Sequence, residues 1–413
     1  MLNRKSILFF VVALFYSILF SQDYSGSSPL MDLTAEIEPL GIVPYPQDGY
    51  GRGSDQLAQP DDVELLADGS MIVSDVDNNR IQHFSPAGEL IRSITAEDLG
   101  LEESEIIPTG VAKDSEGYIY VTLEGVGRIA RFRPDLTFDQ FIGRPITVSA
   151  DEYYQPENDG GLIKPQGLIA AANGDLYVID MAKKVFKTGK KRNFGFRKFK
   201  KFEKEGRITY EYDRSFAQSQ EITKVMRKSE GMTISEDQTT LYIAEEKPYP
   251  GQFGNMTKKR YIAAFDLESG RFLDRLFGVT IENDSITGGY FNDSVEGLSV
   301  FDEYLIAVDE KAGRIYFFDM NSGEFRGFLG KRAYYYCDDH SDCVIEGINY
   351  NEQTIIAGEA LPHLKNNWHK NELASPDGVS VTVLKDGSKR LAVVDQWNSR
   401  IIMYDLDEIL QKF

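Results

Sequence analysis

Residues 59–84, QPDDVELLADGSMIVSDVDNNRIQHF, read as three short segments joined by tight turns. Pro60-Asp61-Asp62 opens an apolar alternation, Asp68-Gly69 breaks it, and Met71–Asp75 climbs again to an acid before Asp77-Asn78-Asn79 leads into Arg80–Phe84. Period-two alternation bounded by Gly, Asp and Asn turns is the pattern of antiparallel strands. The pattern returns along the chain. Its other starts are Pro108-Thr109-Gly110, Pro165-Gln166-Gly167, Ser229-Glu230-Gly231, Val295-Glu296-Gly297, Ile345-Glu346-Gly347 and Pro376-Asp377-Gly378. The second segments all end in a carboxylate: Asp75, Glu124, Asp180, Glu245, Asp309, Glu359 and Asp395.

A unit of this size cannot bury its apolar face alone, so successive copies must stack around a closed ring. The sequence therefore predicts an all-β fold, a β-propeller of six or seven blades. Seven starts are present, and the sixth, between Glu346 and Asp377, has room only for inner strands. The expected plan is a signal segment at 1–21, a mobile lead-in at 22–36 and one propeller domain at 37–413. Ile37–Val43 is expected to supply the outer strand of the last blade and so close the ring with a piece from the other terminus.

Lys and Arg total 45 against 65 Asp and Glu, a net charge of −20, which argues against general affinity for nucleic acid or anionic lipid and makes cations the natural partners. Arg4 and Lys5, the apolar run Ile7–Phe20 and the small Ser21 read as a secretory signal, so a periplasmic or secreted location is expected. That run is shorter than the about 20 residues of a membrane helix, so no membrane span is expected. In an exported chain, Cys337 and Cys343 are expected to form a disulfide.

The run Asp75-Val76-Asp77-Asn78-Asn79-Arg80-Ile81 resembles the NHL repeat, in which an Asp, an Asn and an Arg pin the turn after the second strand; 392–401, AVVDQWNSRI, shows it again. Ser229-Glu230-Gly231-Met232 with Leu241–Glu246, Val295-Glu296-Gly297-Leu298 and Pro376-Asp377-Gly378-Val379 resemble motifs of calcium-dependent β-propeller phytases. That resemblance implies Ca²⁺ and a phosphate ester, with Arg80 and Arg128 as candidate anion grips. Lys183 and Lys184 begin a basic, Phe-rich insertion, 183–204, which reads either as a clamp for an anionic ligand or as long outer strands with a solvated face.

The start of a first strand and the end of a second lie at one edge of an antiparallel hairpin, so both acid sets share one face of the ring. Two carboxylates about 7 Å apart repel by roughly 2 to 3 kcal/mol at an effective dielectric near 20. Hard oxygen donors favour Ca²⁺, and the scarcity of histidine (His83, His340, His363, His369) argues against zinc or iron. Glu230, Glu245, Glu296, Glu346 and Asp377 are the candidate metal ligands. Against this stands a structural role, with Asp75 and Asp395 pinning turns and the inner acids capping strand amides. The functional expectation is a Ca-dependent hydrolase of a small anionic ester. Its alternatives are a metal-dependent lactonase and a non-catalytic propeller that binds a glycan, peptide or protein.

Overall fold

The computed structural model describes residues 31–43, 51, 53–101, 105–148, 152–185, 191–218, 221–226, 228–245, 260–282, 285–287, 289–291, 294–332, 343–345, 348–350 and 371–413. Side chains of 181–194 are among those not described. Six sheets of antiparallel hairpins follow one another along the chain, and within each the consecutive strands run from the inside of the ring outward. Blade 1 is Pro60–Leu65, Met71–Asp75, Arg80–Phe84 and Leu90–Ile94. Blade 2 spans Pro108–Lys113 to Phe138–Ile142, blade 3 Pro165–Ala170 to Arg207–Tyr212 and blade 4 Met232–Ile234 to Phe272–Phe277. Blade 5 spans Val295–Phe301 to Phe325–Leu329, and blade 6 takes Pro376–Val383, Lys389–Asp395 and Arg400–Asp405 from the C-terminal end.

The ring closes as the sequence suggests. Gly41–Val43 pairs with Arg400–Asp405 as the fourth strand of blade 6, while Met31–Asp32 adds a parallel fifth strand to blade 5. Between them Leu33 and Ile37 are buried with Ile306, Leu391 and Leu406, so the N-terminal segment straps the two blades together.

Each seam between blades is filled by one residue type at one position. The residue after the x-Gly step is apolar in every blade (Val63, Val111, Leu168, Met232, Leu298, Val379), and each is buried in a cluster with the preceding blade. The glycine itself faces the following blade. A β-carbon built on Gly110, Gly167, Gly231 or Gly297 would stand 2.4, 2.1, 2.2 or 2.3 Å from the carbonyl oxygen of Gln166, Glu230, Glu296 or Asp377 respectively. No side chain fits there, which is why Gly recurs. Blade 1 is the exception, carrying Asp62 in that place.

The same contacts fix the blade count at six, the lower of the two expected numbers. Because Gly297 of blade 5 touches the Asp377 carbonyl of blade 6, no seventh blade fits between them. Among the described residues the strands Cys343–Ile345 and Ile348–Tyr350 pair only with each other. Glu346 and Glu359 lie outside the described residues, as do the signal segment 1–21, Cys337 and the side chain of Cys343. Among the described residues no helix is long and apolar enough to cross a membrane.

Candidate functional site

At the inner edge of blades 1, 2, 3, 5 and 6 the register between first and second strands slips at the x-Gly step, for example from Pro60↔Asp75 to Val63↔Val73. A bulge of this kind re-aims side chains. Here it turns the x residue toward the axis. Asp61, Gln166, Glu230, Glu296 and Asp377 line one central channel of about 280 Å³, together with Asp62, Glu64 and Lys113.

The acids are not spread evenly. Blades 4, 5, 6 and 1, consecutive around the ring, present Glu230, Glu296, Asp377 and Asp61, whereas blades 2 and 3 present Thr109 and Gln166. Burial, then the negative charges of Glu230, Asp62 and Glu124, hold the Asp61 carboxyl well above the usual carboxylate range. Asp377 is raised likewise by burial, then by Asp61, Glu230, Asp62 and Glu310. Asp62 is pushed up to about 7 by burial, against the pull of two main-chain donors. Those donors are Val63 N–H of its own blade and Val111 N–H of blade 2, both at 2.8 Å, so this carboxylate stitches the one seam that lacks a glycine.

A second tier stands outside the first. Glu124 accepts from the Gln166 amide at 3.0 Å and pairs with Lys164; Glu310 accepts from Ser375 Oγ at 2.9 Å; Gln396 Nε2 donates to Asp377 Oδ2 at 2.9 Å; Lys228 Nζ lies 2.9 Å from Glu230. Glu310 and Gln396 escape the sequence reading because each sits one residue beyond a strand-ending acid. Since side chains alternate, that single step moves them to the other face. Glu124 belongs with them, because Leu123, not Glu124, pairs with Pro108 as Asp75 pairs with Pro60.

The strand-ending acids themselves are structural. Asp75, Asp180, Glu245, Asp309 and Asp395 are fully buried. Asp75 accepts from Ala58 N–H, Asn78 and Arg80, and Asp395 repeats this with Ala374 N–H, Asn398 and Arg400. Asp180 takes Ile163 and Lys164 N–H with the Tyr153 hydroxyl, Asp309 takes Ala312 N–H, and Glu245 takes Lys228 N–H at 3.3 Å. Each latches backbone beside its own blade. Glu245, a candidate metal ligand by sequence, is placed as one of these latches and is not among the residues lining the channel.

The anion grips also change role. Arg80 is held by Asp75 and by the carbonyls of Gly53 and Gln56, and Arg128 stacks over Phe141 at 5.0 Å. In the basic insertion Arg197 is buried between Tyr153 and Tyr212, Lys198 pairs with Asp175, Lys200 with Asp213 and Lys201 with Glu116. These pairs fasten blade 3 to its surroundings, which removes the clamp reading for them. Lys183 and Lys184 have described backbone only, paired with Asn193 and Arg192.

The channel donors suit a hard cation in kind, being carboxylates without His or Cys. Among the described residues no three such groups converge as a preformed cage. Asp61, Glu230, Glu296 and Asp377 are the residues able to hold one.

No protein-family model matches the chain, and no curated protein matches it. Among solved structures it is similar to a gluconolactonase of Xanthomonas campestris (14% identity, 92% of this chain and 98% of that one, TM-score 0.47). It is also similar to the calcium-binding protein regucalcin of Agrobacterium tumefaciens (10% identity, 87% and 94%, TM-score 0.44). A virginiamycin B lyase of Staphylococcus aureus is similar too (13% identity, 85% and 96%, TM-score 0.41). Likeness at this level carries nothing about the site, and the propeller assignment rests on the chain's own sheet order.

Proposed function

We propose that the acidic end of the channel binds a divalent cation of the calcium type through Asp61, Glu230, Glu296 and Asp377, and that the protein hydrolyses a small cyclic ester there. The observation that carries this reading is the crowding of acids from four consecutive blades into one half of a narrow mouth, where burial and mutual repulsion raise Asp61 and Asp377. A bound cation would relieve that repulsion and polarise an ester carbonyl. A carboxylate of the arc that does not bind the cation is the group suited to take the proton released by an attacking water and return it to the leaving alkoxide.

Placement supports the same end of the ring. At the opposite edge the first-to-second strand turns are all short (66–70, 114–118, 171–175, 235–239, 302–303 and 384–388), whereas the long connections (44–59, 95–107, 143–164, 213–231, 246–260, 278–294 and 330–375) leave from the acidic edge. Long connections gather where a scaffold does its work.

Charge favours one ester class over the other. A phosphate dianion brought to this mouth meets an acidic wall, and the described cations near it are already engaged: Lys113 with Glu64, Lys164 with Glu124, Lys228 with Glu230, Arg80 with Asp75. An uncharged lactone meets no such repulsion, so the lactonase reading is preferred to the phytase-like one. The test is to assay the metal-stripped protein on γ-butyrolactone and p-nitrophenyl phosphate with and without Ca²⁺. Calcium-dependent opening of the lactone, lost in Asp377→Asn, is the expected result; lactone opening indifferent to chelation, or none at saturating calcium, would sink the proposal.

A further inference from the structure

We propose that Lys228 is a built-in counter-ion of the acidic arc, which holds one oxygen of Glu230 in competition with a bound cation and so sets the cation affinity of the site. The inference rests on reading the arc as a cation site, as above, but not on the chemistry performed there.

Two acids of the arc are met in different ways. Asp377 Oδ2 accepts from the neutral Gln396 amide at 2.9 Å, whereas Glu230 Oε1 stands 2.9 Å from the Lys228 ammonium. An amide orients a carboxylate and leaves its charge in place; an ammonium offsets the charge as well. The lysine is tied down beside its partner, because its main-chain N–H donates to the fully buried Glu245 at 3.3 Å, two residues before Glu230. Its side chain is 19% exposed, against 58% for Lys164, which holds the corresponding place before blade 3 and pairs with Glu124. A charge drawn in from solvent is screened less, so Lys228 acts on the arc more strongly than Lys164 does.

Glu230 is part of the channel wall and Lys228 is not, so the lysine takes its partner from outside the channel while a cation would come from within. Calcium binds a carboxylate through one oxygen or through both. With Oε1 held by Lys228, both oxygens of Glu230 serve the cation only when the ammonium gives way; if it stays, two positive centres share one carboxylate and repel each other. Either course costs affinity. The effect is not confined to Glu230, since its negative charge reaches both Asp61 and Asp377 and Lys228 offsets that charge. The sign is the test of the idea. A lysine that only steadied Glu230 for the cation would weaken binding when removed, whereas a competing counter-ion strengthens it.

The experiment titrates Ca²⁺ by calorimetry into metal-stripped wild type, Lys228→Met, Lys228→Gln, Lys228→Arg and Lys164→Met, with Lys228→Gln standing in if Lys228→Met does not fold. The neutral Lys228 variants are expected to bind calcium about tenfold more tightly than the wild type, and Lys228→Arg, which keeps the charge, to stay within about twofold of it. Lys164→Met is expected to gain less than about threefold, its exposed charge being screened. Unchanged or weaker binding in the neutral Lys228 variants overturns the proposal. So does an equal gain in Lys228→Arg or Lys164→Met, which would trace the effect to something other than the charge at this one position. Calcium binding by the wild type without a gain in the variants removes the proposal and keeps the cation reading; binding that emerges only in the neutral Lys228 variants sustains the proposal and removes calcium from the wild type's function. No binding by any of the five proteins overturns both.

Discussion

Gly231 lies directly against the main-chain carbonyl of Glu296, with a β-carbon on Gly231 falling 2.2 Å from that oxygen. The obstacle is backbone in the inner strand of the next blade, which cannot swing aside as a side-chain tip can. Gly231→Ala is therefore expected to cost about 3 kcal/mol of stability by forcing two blades apart. Gly100→Ala, like Gly206→Ala, meets no atom within 4 Å but places alanine at a positive φ, so it measures backbone strain without any clash. Denaturant midpoints of Gly231→Ala and Gly100→Ala measure the difference; equal losses would mean the ring does not need its glycines for closeness.

Asp395 and Arg400 form an ion pair at 2.6 Å in which both side chains are fully buried. Removing one member leaves a buried charge, so Asp395→Asn is expected to destabilise by about 3 kcal/mol or more. Lys412→Ala, which breaks an exposed pair with Glu36, is expected to leave stability nearly unchanged. Urea titration of both variants checks this, and a small effect of Asp395→Asn would show that the latch is dispensable.

Stability is expected to fall as pH rises. Asp62 is pushed up to about 7 and Asp75 to about 6, chiefly by burial, and Asp61, Asp377, Asp180 and Asp395 are raised in the same direction. Between the ordinary carboxyl range and these raised values the folded protein holds protons that the unfolded chain has already released. Raising pH through that window, from about 5 to about 8, therefore costs stability. Melting temperature without divalent cation should decline across it, and added calcium should flatten the slope by opposing the repulsion in the arc. A metal-free melting temperature that rises from pH 5 to pH 8 would contradict the assignment.

The parts legible in sequence were those set by strictly local geometry. Asp75-x-x-Asn78-x-Arg80 and Asp395-x-x-Asn398-x-Arg400 close one tight turn each, and the x-Gly step marks each inner strand because only glycine fits against the next carbonyl. What long-range register decides was not legible. Ile345-Glu346-Gly347 carries the same local motif, yet the contact between Gly297 and Asp377 leaves a seventh blade no place. Glu310 and Gln396 reach the mouth because they follow a latch by one residue, a distinction that depends on which residue pairs with Val295 or Pro376. The charges of Arg197 and Lys198 looked solvated because Tyr153 and Asp175, which cover them, come from elsewhere in the chain.

The central claim is that the arc formed by Asp61, Glu230, Glu296 and Asp377 is a cation site. The most direct measurement is a calorimetric titration of Ca²⁺ into metal-stripped protein at pH 7.5, for the wild type and for Asp61→Asn combined with Asp377→Asn. The wild type is expected to bind saturably and to gain about 2.7 kcal/mol of stability at 100 times its dissociation constant. The double variant is expected to bind at least about tenfold more weakly while being more stable than the wild type without metal, since two repelling charges are gone. Absence of calcium binding by the wild type, or undiminished affinity in the double variant, would contradict the account.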